Sequence, residues 1–190
     1  SAKRFIVARA ALAEFERLVT ARLAARRVGD PADLANDVGP LARADLRDNL
    51  HRQITASIRA GARLLLGGAL RPGPGFFYEP TLLTNVRPGM PAADEELFGP
   101  AAAILVARDD ADAVRLANAT PYGLGAAIFT RNTRRARALV PQLQAGFVAI
   151  NTFVRSDASL PFGGVKDSGL GRELSVHGLQ AFLNIKTVVG

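Results

Sequence analysis

Residues 102–150 read AAILVARDDADAVRLANATPYGLGAAIFTRNTRRARALVPQLQAGFVAI, and their alternation of two periodicities sets the fold class. Ala102 to Val106 is a continuous apolar run, the pattern of a strand covered on both faces. Asp109, with Asp112 three residues on, marks a helix start, because a carboxylate there accepts from free backbone N–H groups. That helix stops before Pro121. Ala126 to Thr130 reads as a strand. Ala136, Leu139, Val140 and Leu143 then fall at i, i+3, i+4 and i+7, one helix face closed by Gly146. Phe147 to Ile150 is a further strand. Strands alternating with helices imply right-handed crossovers. The expected class is α/β, an open, mainly parallel twisted sheet with helices on both faces.

The pattern extends in both directions. Lys3 to Val7 suits a strand, and Leu12, Phe15, Leu18, Val19 and Leu23 share one face of a helix that Gly29-Asp30-Pro31 breaks. A second helix is expected from Arg43, with Leu46, Leu50, Ile54 and Ile58 inward and Gly61 as its C-cap. Arg63 to Leu66 reads as a strand, Pro72 to Gly75 as a loop, and Phe76 to Val86 as extended chain. Near the end, a short helix from Val176 to Phe182 precedes a last strand, Asn184 to Val189. The one candidate boundary lies there, dividing residues 1–182 from 183–190.

The 190 residues are 48% hydrophobic and 22% charged, ordinary for one globular domain. No apolar run approaches the roughly 20 residues of a membrane helix. The start lacks the apolar stretch of a signal peptide, so the chain reads as soluble and cytoplasmic. It has no cysteine, which excludes a disulfide framework and a thiolate metal site. His51 and His177 alone do not make a histidine metal cluster and read as surface or packing residues. The net charge is +7, yet Lys3, Lys166 and Lys186 are the only lysines among 24 basic residues. The arginines are spread from Arg4 to Arg172. The densest group, Arg131, Arg134, Arg135 and Arg137, has no interleaved aromatics, so nucleic-acid binding is not expected. Solvated helix faces account for the charge, with a basic patch for an acidic substrate or partner as the remaining reading.

Glycine-rich phosphate loops fail the test of context. Gly123-Leu124-Gly125 and Gly169-Leu170-Gly171 each open a GxGxxG pattern but end it on Ile128 and Leu174. Two other segments stand out. Glu95-Glu96-Leu97-Phe98-Gly99-Pro100 sets a carboxylate and a ring together at a strand entrance, and a carboxylate suits a vicinal diol such as a ribose. Pro161 to Glu173, PFGGVKDSGLGRE, holds four glycines in thirteen residues. Such a loop is entropically costly unless close backbone approach is needed, and loops on α/β scaffolds often carry function.

Together these segments resemble the aldehyde dehydrogenase family. Asp37 to Leu41, Gly61-Ala62, Gly67-Gly68, Phe77 to Thr81, Ala117-Asn118, Pro121 to Leu124 and Gly146 to Asn151 extend the likeness over essentially the whole chain. The resemblance implies oxidation of an aldehyde to an acid, with NAD or NADP taking the hydride and a cysteine thiolate attacking the carbonyl. It implies that Glu96 binds the nicotinamide-ribose hydroxyls and that Phe98 packs near the nicotinamide. Phe162 would line the aldehyde pocket, Asn151 support the loop, Glu173 join a proton relay to the general base, and Arg172 be structural. Asn184 to Val189 would be an oligomerisation strand pairing with another copy in a homo-dimer or tetramer.

By the same resemblance, the nucleophilic cysteine belongs immediately upstream of Ser1, and the general base and dinucleotide domain further upstream. The chain alone is therefore expected not to turn over aldehyde. Residues 151–161 set specificity in the family, and here Arg155-Ser156-Asp157 is most similar to the succinate-semialdehyde group. Ser156 would donate to the distal carboxylate of the substrate, with Arg155 adding charge. The alternatives are one half of a split enzyme and a non-catalytic oligomerisation scaffold.

Overall fold

Four short apolar segments build the first sheet. They are β1 (Arg4–Ala8), β2 (Arg63–Leu66), β3 (Thr81–Thr84) and β4 (Ala101–Ala107), in the order β1-β4-β3-β2. The β1–β4 and β3–β4 pairs are parallel and β2–β3 is antiparallel, so the mainly parallel sheet is present. The computed structural model describes residues 2–190, which fall into two units, one ending at Leu116 and one running from Ala117 to Gly190.

In the first unit the strands alternate their side chains between two cores. Val7, Leu82 and Ile104 face α1 (Leu12–Ala24), meeting its Leu12, Phe15, Val19 and Leu23. Ile6, Leu83, Ala103 and Leu105 face the opposite way. There they meet Leu50 and Ile54 of α2 (Ala44–Arg59), Ala92 of α3 (Pro91–Asp94) and Leu116 of α4 (Asp110–Asn118). Leu82 and Ile104 are fully buried, each worth about 1.5–3 kcal/mol. Helices thus cover both faces, as the apolar run of β4 requires.

Helix boundaries follow local chemistry. Asp109 accepts from the Asp112 N–H at 2.8 Å, and Asp112 reaches back to the Arg108 N–H at 3.1 Å, which caps α4 as expected. At the end of α2, Gly61 adopts φ +106°, while the Gly61 and Ala62 N–H groups donate to Ile58 and Ser57. This is a Schellman closure, and it favours glycine at that position.

Two of the helices depart from expectation. Ile58 of α2 is 37% exposed, while Gln53 and Ser57 are buried. Positions 46, 50, 54 and 58 are four apart, so each step drifts about 40° around a helix of 3.6 residues per turn. The true inward face is Leu50, Gln53, Ile54 and Ser57. The second such helix is α5 (Thr133–Leu139), which is shorter than its apolar spacing suggests. Val140–Gln142 tightens into a 3-10 turn, because Pro141 has no N–H for the next helical bond.

The second unit holds two small sheets. β5 (Tyr122–Gly123) pairs antiparallel with β8 (Val165–Lys166), and β6 (Gly125–Ile128) runs parallel to β7 (Phe147–Ile150). A short helix, α6 (Ser175–Gln180), follows. The expected last strand forms no ladder among the described residues, and Ile185, Val188 and Val189 are 84%, 84% and 89% exposed.

Candidate functional site

The segment after α3 is extended, and its side chains alternate. Leu97 is wholly buried, which turns its neighbours Glu96 and Phe98 outward; Phe98 is 61% exposed. Three groups hold this turn in place. Gln53 donates from Nε2 to Glu95 Oε2 at 2.9 Å and to the Glu96 carbonyl at 3.1 Å. Arg52 pairs with Glu95 at 2.7 Å. Lys3 donates to the Gly99 carbonyl at 2.7 Å.

The electrostatics follow from these contacts. Hydrogen bonds from Arg52 and then Gln53 hold the Glu95 carboxyl below its ordinary pKa. Half-burial pushes the Lys3 amine down, and the nearby Glu96 charge partly restores it. No hydrogen bond among the described residues engages the Glu96 carboxylate. Its two oxygens are open to a diol, and the Phe98 ring beside it offers an aromatic face. These features fit the ribose and nicotinamide of a dinucleotide. Gln53 and Lys3 were not singled out in the sequence, since a polar residue inside a helix and a lone lysine give no pattern.

In the second unit the glycine-rich loop is a clip. Phe162 and Glu173 form a two-residue antiparallel bridge that closes it. Arg172 donates from one guanidinium nitrogen to the Gly164 and Gly171 carbonyls at 2.8 and 2.6 Å. Lys166 reaches the carbonyls of Asn118 and Thr120 at 2.8 and 3.0 Å, and Ser168 Oγ accepts from the Gly123 N–H at 2.9 Å. The glycines are there for approach: a Cβ on Gly163 would sit 2.7 Å from the Gly171 carbonyl oxygen.

The bridge leaves the Glu173 side chain exposed and Phe162 half-buried, its ring 6.4 Å from that of Phe147. Asn151, at φ +55°, accepts from the Thr130 N–H at 2.8 Å and donates to the Thr130 carbonyl at 2.9 Å, joining the ends of β6 and β7. Arg155 and Ser156 lie together on the exposed loop that follows. Next to them, Ser159 donates to Asp157 through both its hydroxyl (2.6 Å) and its N–H (2.9 Å), lowering the Asp157 pKa, with Arg155 adding a smaller effect. The Ser175 N–H donates to the Ala158 carbonyl at 3.0 Å and ties this loop to α6. Glu96 and Phe98 thus belong to the first unit, and Arg155, Ser156, Phe162 and Glu173 to the second.

Residues 1–188 match the model of the aldehyde dehydrogenase family. The chain belongs to that family. It is 50% identical over 188 residues to the succinate semialdehyde dehydrogenase NAD(P)+ Sad of Escherichia coli strain K12, a match covering 99% of this chain and 41% of the relative. The chain therefore spans about two-fifths of the curated relatives it matches. A solved succinic semialdehyde dehydrogenase of Streptococcus pyogenes, in complex with NADP+, superposes with TM-score 0.91 at 36% identity, covering 96% of this chain and 40% of that one. A solved structure of Gox0499, described for its cofactor and substrate selection, superposes with TM-score 0.94 at 37% identity, over 99% of this chain and 41% of that chain. The α/β architecture expected from the sequence is that of these aldehyde dehydrogenases.

Proposed function

We propose that this chain carries the cofactor-ribose and aldehyde-facing part of an NAD(P)-dependent enzyme oxidising succinate semialdehyde to succinate. The observation that carries the reading is the 50% identity to a succinate semialdehyde dehydrogenase over 99% of the chain. Overall, aldehyde, water and NAD(P)+ give carboxylate, NAD(P)H and two protons. The bound dinucleotide supplies the hydride acceptor.

The chain's own residues hold and orient the reactants. Glu96 would accept from the ribose hydroxyls of the dinucleotide, and Phe98 would pack near its nicotinamide. Gln53 and Lys3 fix the turn that presents them. Ser156 donates to the distal carboxylate of the substrate, Arg155 adds a cationic partner, and Phe162 walls the aldehyde. Glu173 passes a proton toward the general base. The thiolate nucleophile comes from outside these residues, since the chain has no cysteine. The exposed segment Asn184 to Val189 pairs with a second copy in a cytoplasmic homo-oligomer.

The test compares the 190-residue chain with the same chain joined to an upstream part that carries the cysteine, the general base and the dinucleotide domain. NAD(P)H formation from succinate semialdehyde is expected only in the extended protein. Turnover by the cysteine-free chain overturns the assignment of the nucleophile.

A further inference from the structure

β1 and β4 lie side by side and parallel, yet the chain leaves them on opposite faces of the sheet. After β1 it enters α1, whose Leu12 and Phe15 pack with Val7 and Ile104. After β4 it enters α4, whose Ala113 and Leu116 join Leu83 and Leu105 on the other side. Adjacent parallel strands with diverging successors open a crevice beyond their carboxyl ends, where open α/β sheets bind ligands. A cleft of about 520 Å³ occupies that place. It lies at the opposite end of β4 from Glu96 and Phe98, which precede the strand.

Leu12, Val86 and Leu105 give the cleft apolar walls, and Arg9, Arg87, Arg108 and Arg115 give it charge. The four arginines come from separate places: the turn after β1, the loop after β3, the turn after β4, and α4. Among the described residues, Asp112 is the only carboxylate lining the cleft. It holds Arg108 at 3.1 Å and Arg115 at 2.7 Å and so fixes two of the guanidinium groups. Arg87 donates only to Asn85, at 3.1 Å, and no carboxylate among the described residues pairs with Arg9 or Arg87. Four arginines against one aspartate leave an excess of three positive charges around an apolar surface. A cleft lined mainly by one sign of charge raises the local concentration of the opposite ion.

We propose that this crevice binds a small molecule carrying two linked phosphate groups, free or borne on a nucleoside. Guanidinium forks match phosphate oxygens in pairs. A diphosphate balances the excess charge, and the apolar walls suit a nucleoside rather than bulk water.

Calorimetric titration with inorganic pyrophosphate and, separately, with ADP tests this. The proteins compared are the wild type, Arg9→Ala/Arg87→Ala, and the control Arg131→Ala/Arg134→Ala. Saturable 1:1 pyrophosphate binding is expected, weakened about tenfold for each arginine removed from the cleft. The control should bind as wild type. Because a dinucleotide site also accepts ADP, only ADP binding lost in the cleft variant counts. ADP tighter than pyrophosphate assigns the site to a nucleotide, and equal affinities assign it to free diphosphate. Matching thermal melts establish that the variants fold. No saturable binding of either probe, or equal losses in both variants, overturns the proposal without touching the dehydrogenase reading.

Discussion

The backbones of Phe162 and Glu173 exchange two hydrogen bonds, at 2.8 Å from the Phe162 N–H and 2.7 Å from the Glu173 N–H. This bridge joins a residue proposed to wall the aldehyde to one proposed to carry a proton. It fixes both to the rim of one glycine-rich clip. Loop side chains placed this way hold their geometry without a helix or strand of their own.

Gly163→Ala tests the clip. The new methyl would crowd the Gly171 carbonyl, which is backbone and cannot swing aside. A loss of about 1–3 kcal/mol in stability is expected from such overpacking, read by urea denaturation. A neutral result would mean the loop is not held as closely as the bridge implies.

Gln53→Leu tests the support of the Glu96 turn. The variant keeps the apolar bulk of a buried position but removes donors to the Glu95 carboxylate and the Glu96 carbonyl. In the active protein, KM for NAD(P)+ should rise about tenfold while kcat changes little, the signature of lost ground-state positioning. Equal falls in kcat and kcat/KM would instead place Gln53 in the chemical step.

Much of this architecture was legible because it is written locally. The apolar run of β4, the Asp109 cap and the i, i+3, i+4 spacings each act within a few residues. The paired motifs at Glu95–Pro100 and Pro161–Glu173 were legible for the same reason. What escaped is tertiary. Gln53 and Ser57 look solvent-facing until α3 and the turn after it supply partners for them: the Ala92 N–H, in α3, donates to Ser57 Oγ at 2.9 Å. Arg9, Arg87, Arg108 and Arg115 are scattered in sequence and converge only because β1, β3 and β4 end side by side.

Acid stability should depend on Asp112. Hydrogen bonds from Arg108, then Arg115, then the Arg108 N–H hold its carboxyl far below the 3.8 of a free side chain. A depressed folded pKa gives a contribution that is complete above the unfolded value and is lost as pH falls through the folded one. Asp112→Asn should therefore lower the melting temperature at neutral pH and flatten its decline below about pH 4. Parallel declines in both proteins would show that Asp112 does not couple to folding.

Tyr78 is fully buried beside His51, with its hydroxyl 3.1 Å from Nδ1. Burial raises its pKa from 10.0 to about 12. The chain has two tyrosines, so Tyr122→Phe leaves Tyr78 as the sole phenol. Its ultraviolet titration should then show a midpoint near 12. The contribution of this group to stability is intact below the unfolded pKa and fades as pH rises through the folded one. A midpoint at the ordinary value would mean that the α2 face is open to water.

The most direct measurement is NAD(P)H formation by the cysteine-containing protein with succinate semialdehyde and with butyraldehyde, in the wild type and in Ser156→Ala. A strong preference for succinate semialdehyde is expected. Ser156→Ala should lower kcat/KM about tenfold for the charged substrate and leave butyraldehyde unchanged. Equal rates with both aldehydes, or no NAD(P)H from either, would contradict the proposed function.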